Sequence, residues 1–169
     1  MLTVDEYRER ILASVGILAP LELPLPLAHG CVLAQDVAAP WPLPSFDNSS
    51  MDGYAVVASD IATSSAAAPV ALAVVDDVPA GSRASVRVEP GTAIRIMTGA
   101  PVPSGADAIV MVEDTERLGV GGDGTERVRV TAAVTEGDAR RPAGSDVRRG
   151  TPLYEAGTCI TPAMSAVLA

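Results

Sequence analysis

The sequence predicts a mixed fold, mainly β with a few helices, and three observations carry that prediction. Between residues 70 and 135, short apolar runs alternate with Gly- and Pro-bearing turns. A capping signature opens the chain, and a Thr-Pro helix start lies near its end. Fourteen prolines and fifteen glycines divide the remainder into short elements.

In chain order, Thr3 and Glu6 have capping-box spacing, and Val4, Tyr7, Ile11 and Val15 share one helical face before Gly16. This predicts a surface helix over 4–15. The alternating prolines of PLELPLPLAHG (20–30) forbid a continuous helix and predict an extended connection. CVLAQDVAA (31–39) has the apolar content of a strand. PWPLPSFDNSSMDGYAVVASD (40–60) sets turn formers around a few large apolar groups, which predicts a shaped loop feeding a strand at DGYAVVA. Strands follow at PVALAVV, ASVRV, AIRIM, DAIVMV and RVRVTAAV, separated by PAGS, EPGT, PVPSGA and LGVGGDGTE. ASVRV and RVRV alternate strictly and predict half-exposed strands, whereas continuously apolar AIVMV predicts one buried on both faces. Gly-rich 119–124 lacks the strand-to-helix context of a phosphate loop and is expected to be a hairpin tip. Glu113, Asp114 and Glu116 are expected to form a solvated acidic strand end. Thr161-Pro162 starts a helix through AMSAVLA. Helices of two turns are marginal alone, so the pattern reads as part of a longer protein.

Hydrophobic residues make up 48% of the 169 and aromatics only 3%, so the core is built from small and β-branched side chains. A formal charge of −9 excludes nucleic acid and anionic membrane surfaces as partners. Any anionic ligand must be held by local amides, Arg or a metal ion. Cys31 and Cys159 stand far apart without CxxC spacing, and are expected to be buried thiols in a reducing compartment, with a long-loop disulfide as the lesser alternative. MLTVDEYRER is no secretory leader, and no apolar run is long enough to span a membrane, so the expected location is cytoplasmic. A single histidine, His29, rules out a His-based triad or a His-rich metal site and reads as a satisfied loop side chain.

Three segments can carry chemistry. In Phe46-Asp47-Asn48-Ser49-Ser50-Met51-Asp52-Gly53-Tyr54, two acids and an amide can present hard oxygens of the kind Mg2+ prefers; an Asx-rich turn is the plain alternative. At Ile96-Met97-Thr98-Gly99-Ala100-Pro101, successive amides and a hydroxyl at a strand end can form a concave anion site, or the pair Thr98-Gly99 merely turns the chain. In Arg140-Arg141-Pro142-Ala143-Gly144-Ser145-Asp146, an Arg fork suits an oxyanion, and Asp146 is an equally good internal partner.

FDNSSMDGYA, RIMTGAPVPSGADAIVMVED and RRPAGSDV followed by LYEAGT and ITP resemble, in this order, the N-terminal half of the molybdopterin molybdenumtransferases, the MoeA and gephyrin E-domain family. The resemblance covers the whole chain. It implies an elongated two-domain piece, with a discontinuous α+β linker and dimerisation domain at 1–44 and 140–169. A β-rich unit at 45–139 is inserted into it. It further implies that an α/β domain holding most of the pterin pocket is absent from this chain, leaving it inactive alone. The implied reaction joins molybdate to adenylylated molybdopterin, with Mg2+, and releases AMP. The implied partners are a second copy in a homodimer, the molybdopterin adenylyltransferase and acceptor molybdoenzymes. By motif, Asp52 and Thr98 are the implied catalytic residues, with Asp52 a Mg2+ ligand. Thr98, Gly99, Arg141 and Asp146 are the implied substrate and oxyanion contacts. GSD stands here where other members have GED.

Two other functions compete. One is a non-catalytic dimerisation or scaffolding module of the same fold; the other is a small oxyanion-binding protein built on the Thr98 loop.

Overall fold

The computed structural model describes residues 2–169. The chain forms two compact units, one running to Ala38 and resuming at Pro152–Ala169, the other Ala39–Thr151. Residues 39–44 and 140–151, which the resemblance assigns to the discontinuous domain, thus fall in the second unit. The reason is pairing: Leu43 bridges Val147, and Asn48 and Ser49 pair with Arg141 and Arg140.

In the first unit, helix α1 (Val4–Leu12) begins with the expected capping box, Thr3 and Glu6 each accepting the other's backbone N–H. It stops three residues short of the expected end. The Ser14 hydroxyl and amide both donate to the Ile11 carbonyl, drawing the chain into i→i+3 bonds that close the helix. Residues 25–27 form a 3-10 turn within the otherwise extended proline segment. The strand expected over 31–39 is broken by bends at 34 and 35. Only β1 (Val37–Ala38) joins a ladder, with β10 (Pro152–Tyr154), while Val32 bridges Cys159. Helix α2 (Pro162–Leu168) starts at Thr161, whose hydroxyl accepts from the Met164 amide. Its Met164 packs with Ala28 and Ile160 in a small core. The two thiols expected to be buried are free and exposed. Cys159 Sγ lies 3.7 Å from the Gly30 carbonyl, whereas the neighbouring Ile160 is buried in that core. His29 is exposed in the turn after the 3-10 segment.

The second unit carries a six-stranded sheet in the order β6-β3-β5-β4-β8-β7. Its strands are β3 (Gly53–Val56), β4 (Val70–Val78), β5 (Thr92–Ile96), β6 (Ala108–Met111), β7 (Thr115–Val120) and β8 (Glu126–Val130). Both faces of its β3, β5 and β6 side are covered. Tyr54, Val56, Leu72, Ala93, Val110, Val128 and Val130 pack on one face; Ala55, Val78, Ile94, Ile96 and Ile109 pack on the other. This is why AIVMV is apolar without alternation. At the β7–β8 side, buried Val128 and Val130 alternate with Arg127 and Arg129, as expected for a half-exposed strand.

Two further expectations fail. ASVRV is not a strand, because β4 and β5 run parallel and residues 79–91 must cross from one to the other. Val88 plugs the second core, and Ser85 is held by the Asp76 carboxylate rather than by a ladder. Conversely, Thr115–Val120 is a strand where an acidic end and a turn were expected. Charge pairs across the hairpin, Arg117–Glu126 and Arg129–Glu116, take the place of the apolar alternation. The hairpin tip falls in the glycine-rich stretch, with Gly121 donating to Thr125.

Gly53 sits between β5 and β6, where a Cβ would fall on the Val110 carbonyl oxygen. Gly53→Ala is therefore expected to destabilise the unit by about 3 kcal/mol, since backbone on both sides leaves no room to repack. Gly16, with nothing within 4 Å, is the control: Gly16→Ala is expected to leave the urea midpoint within error. Equal midpoints for both variants would contradict the packing.

Candidate functional site

Residues 47–50 form β2 (Asn48–Ser49) and its flanks, and they are hydrogen bonded along both edges. On one side Ser49 donates to the Ala100 carbonyl at 3.0 Å and accepts from Gly99 at 2.8 Å, while Val102 donates to the Asp47 carbonyl at 3.0 Å. On the other side β9 (Arg140–Arg141) pairs antiparallel with β2, and the Ser50 amide donates to the Ala139 carbonyl at 2.9 Å. The three motif segments found separately in the sequence are thus neighbours in one structure, with the 99–102 turn on one edge of β2 and β9 on the other. Asn48 and Ser49 are buried polar side chains: Ser49 Oγ donates to the Met51 carbonyl, and Asn48 Nδ2 donates to the Phe46 carbonyl at 3.2 Å.

Asp52 lies immediately before β3, and Thr98 lies two residues after β5. Because Gly53 pairs with Ile96, the two are brought to the same end of the sheet. Asp52 Oδ1 accepts both the Thr98 amide at 2.7 Å and the Thr98 hydroxyl at 2.6 Å. These two donors, the hydroxyl foremost, hold the Asp52 carboxyl below the usual aspartate range, with a smaller contribution from the Arg95 charge. Oδ2 receives no protein donor among the described residues, and Asp52 is partly exposed.

The loop is not the open amide nest that its sequence suggested. The Thr98 amide is given to Asp52, the Gly99 amide to Ser49, and the Ala100 amide to the Met97 carbonyl at 3.0 Å. All three donors are spent inside the protein, because they build the turn that delivers Thr98 to Asp52. Gly99 takes φ 81° in that turn, a left-handed conformation suited to glycine.

Arg141 and Asp146 form an ion pair with each other within the second unit. Both are exposed, and no hydrogen bond joins them to Asp52 or Thr98 among the described residues. Their link to that pair runs through β9 and β2. Sequence reasoning counted Asp47 among the hard oxygens for Mg2+ and Arg140 in the arginine pair, but did not join them to each other. The Asp47 carboxylate is occupied by that partner and by a backbone amide. Arg140 Nη2 donates to Asp47 Oδ2 at 2.8 Å, and the Ala143 amide donates to Asp47 Oδ1 at 2.8 Å. The Ala143 amide first, and then Arg140, hold the Asp47 carboxyl below its ordinary value. An acid and a base 93 positions apart give no signal in one sequence.

For Mg2+, the donor set is one carboxylate oxygen, Asp52 Oδ2, which no protein donor occupies among the described residues. That fits a cation which uses one or two carboxylates together with substrate phosphates. Among the described residues no cluster of three or more acids, His or Cys forms a self-sufficient cage.

Residues 2–169 match the family described as the MoeA N-terminal region, domain I and II. The chain is 43% identical over 164 residues to molybdopterin molybdenumtransferase 2 of Mycobacterium tuberculosis, covering 97% of this chain and 39% of that protein. It is 40% identical over 166 residues to the molybdopterin molybdenumtransferase of Synechococcus elongatus, covering 96% and 40%. Two crystal structures of the molybdopterin biosynthesis MoeA protein from Pyrococcus horikoshii share the fold. One has a TM-score of 0.76 and 36% identity over 86% of this chain and 37% of that one. The other has 0.82 and 32% over 94% and 39%. The chain therefore spans about two fifths of the length of these relatives.

Thr98→Val removes the hydroxyl donor and keeps the amide, so the Asp52 carboxyl is expected to titrate at higher pH than in the parent chain, read by carbon NMR. The sign for stability follows. A folded-state pKa below the unfolded value gives stability that is present above the unfolded pKa and lost as pH falls through the folded one. The variant should lose less stability on acidification, and an unmoved Asp52 titration would contradict the hydrogen-bond geometry.

Proposed function

We infer the function from one premise, that the chain belongs to the MoeA N-terminal family. We propose that it is part of a molybdopterin molybdenumtransferase acting in molybdenum cofactor biosynthesis. In this reading it contributes the β-rich wall of a site that takes adenylylated molybdopterin and molybdate and releases AMP. The observation that carries this reading is the Asp52–Thr98 pair, a carboxylate fixed on one oxygen and without a protein donor on the other, among the described residues, at one end of the six-stranded sheet.

The chemistry that must occur is cleavage of a phosphoanhydride by an oxygen nucleophile, with AMP as leaving group. Asp52, held ionised by Thr98, is suited to orient that nucleophile by accepting a hydrogen bond at Oδ2. Thr98 fixes the carboxylate's direction, and Gly99 shapes the turn that makes this possible. Mg2+, when bound at Asp52, would neutralise phosphoanhydride charge and draw electron density from phosphorus. Arg141 is the cation available to an oxyanion, with Asp146 holding its guanidinium until substrate competes for it. Since the loop amides are spent, anion binding in this reading falls to side chains rather than to a backbone nest.

The pterin-holding part of the site lies, in this reading, outside these residues. A homodimer is supported by a run of exposed apolar side chains on α1 and beyond it: Tyr7, Ile11, Leu12, Ile17 and Leu18. We place the reaction in the cytoplasm, in keeping with two free thiols. The molybdopterin adenylyltransferase and acceptor molybdoenzymes would be its functional neighbours.

In the natural protein that carries these residues, Asp52→Ala is expected to slow AMP release by about 100-fold or more. The circular dichroism and melting profile should be retained, because Asp52 is not part of either core. A near-normal rate would remove Asp52 from the chemistry and leave the scaffolding reading in its place.

A further inference from the structure

We propose that Arg140, through its ion pair with Asp47, is a positioning residue that sets the Asp52–Thr98 pair without touching substrate. This rests on the reading of Asp52 and Thr98 as the reacting site. The adjacent arginines of the motif have different tasks, because neighbours on a strand face opposite ways. Arg141 faces Asp146, whereas Arg140 reaches Asp47 and also donates to the Asp107 carbonyl at 3.3 Å. The Arg140 side chain is 26% exposed, against 50% and 41% for Arg127 and Arg129 in the solvated hairpin pairs. It therefore belongs to the packed body rather than to a surface ladder.

Asp47 is the joint. Its carboxylate takes the 140–143 arm, through Arg140 and the Ala143 amide, and its carbonyl takes the 99–102 arm, through Val102. One residue thus holds both arms that carry proposed site residues. Two residues on, Ser49 receives the Gly99 amide, one residue from Thr98. Removing the guanidinium leaves Asp47 Oδ2 with no protein partner in a half-buried place. The carboxylate is then drawn toward water, and the Val102 and Gly99 bonds lose their anchor.

The test uses amide hydrogen exchange and turnover. In Arg140→Gln, exchange at Gly99 and Val102 is expected to rise by about ten-fold or more, while the core amides of Ile94 and Val128 stay within about two-fold. Arg140→Lys should restore most of the protection, because it keeps the charge. If the Gln variant does not fold, Asp47→Asn carries the test, since it keeps shape and the acceptor for Ala143. In the natural protein, Arg140→Gln should lower kcat for AMP release by about ten- to a hundred-fold with KM little changed, and Lys should recover it. A rise at Gly99 and Val102 only in step with the core amides, or no recovery with Lys, would overturn the proposal. So would normal turnover in Arg140→Gln beside a slow Asp52→Ala. Failure of the site reading is separate: Asp52→Ala itself would then turn over normally.

Discussion

The candidate site depends on residues 47–50 being bonded along both edges. Such a segment cannot move away from one neighbour without carrying the other, because every buried backbone donor it abandons must find a new partner. The constraint continues upstream, where Leu43 accepts from Asp146 and Val147, and Pro44 accepts from Gly144. Residues 43–50 and 139–147 therefore run side by side as one antiparallel arrangement. The 99–102 turn completes it from the sheet. Thr98 and Arg141 are far apart in sequence, yet each stands next to a residue bonded to β2.

Electrostatics at this place is local. A chain of formal charge −9 repels anions at long range, so ionised acids at a site for anionic substrates need specific stabilisation. Asp52 has it from two Thr98 donors, and Asp47 has it from Ala143 and Arg140. Neither relies on a distant positive field. The same hydrogen bonds that keep Asp52 ionised consume the Thr98 amide and hydroxyl proton. Holding the acid and cradling an anion with that amide are alternatives, and the structure takes the first.

What the sequence made legible follows from how local each signal is. The capping box at Thr3, the Thr161 cap and the turn-bounded runs of β5 and β6 are written within a few residues, and all formed as expected. ASVRV alternated like a strand but serves as a crossover, because a parallel neighbour is a fact of topology that alternation does not encode. TERLGV lacked apolar alternation because its partners are charges across a hairpin. The thiols were expected inside because they stand isolated, without CxxC spacing, but both are exposed beside a small core of Ala28, Ile160 and Met164. At the site, the motif residues were legible and their pairings were not. Asp52–Thr98 spans 46 positions and Asp47–Arg140 spans 93, so neither bond leaves a trace in local pattern.

The central claim is that Asp52, fixed by Thr98, faces the reacting groups. Anomalous scattering at the molybdenum edge tests it most directly, in crystals of the natural protein grown with molybdate, Mg2+ and adenylylated molybdopterin. The account predicts a molybdenum peak in the space faced by Asp52 Oδ2, with Thr98 and Arg141 at its border. A peak remote from both the Asp52 loop and the Arg141 strand would contradict it.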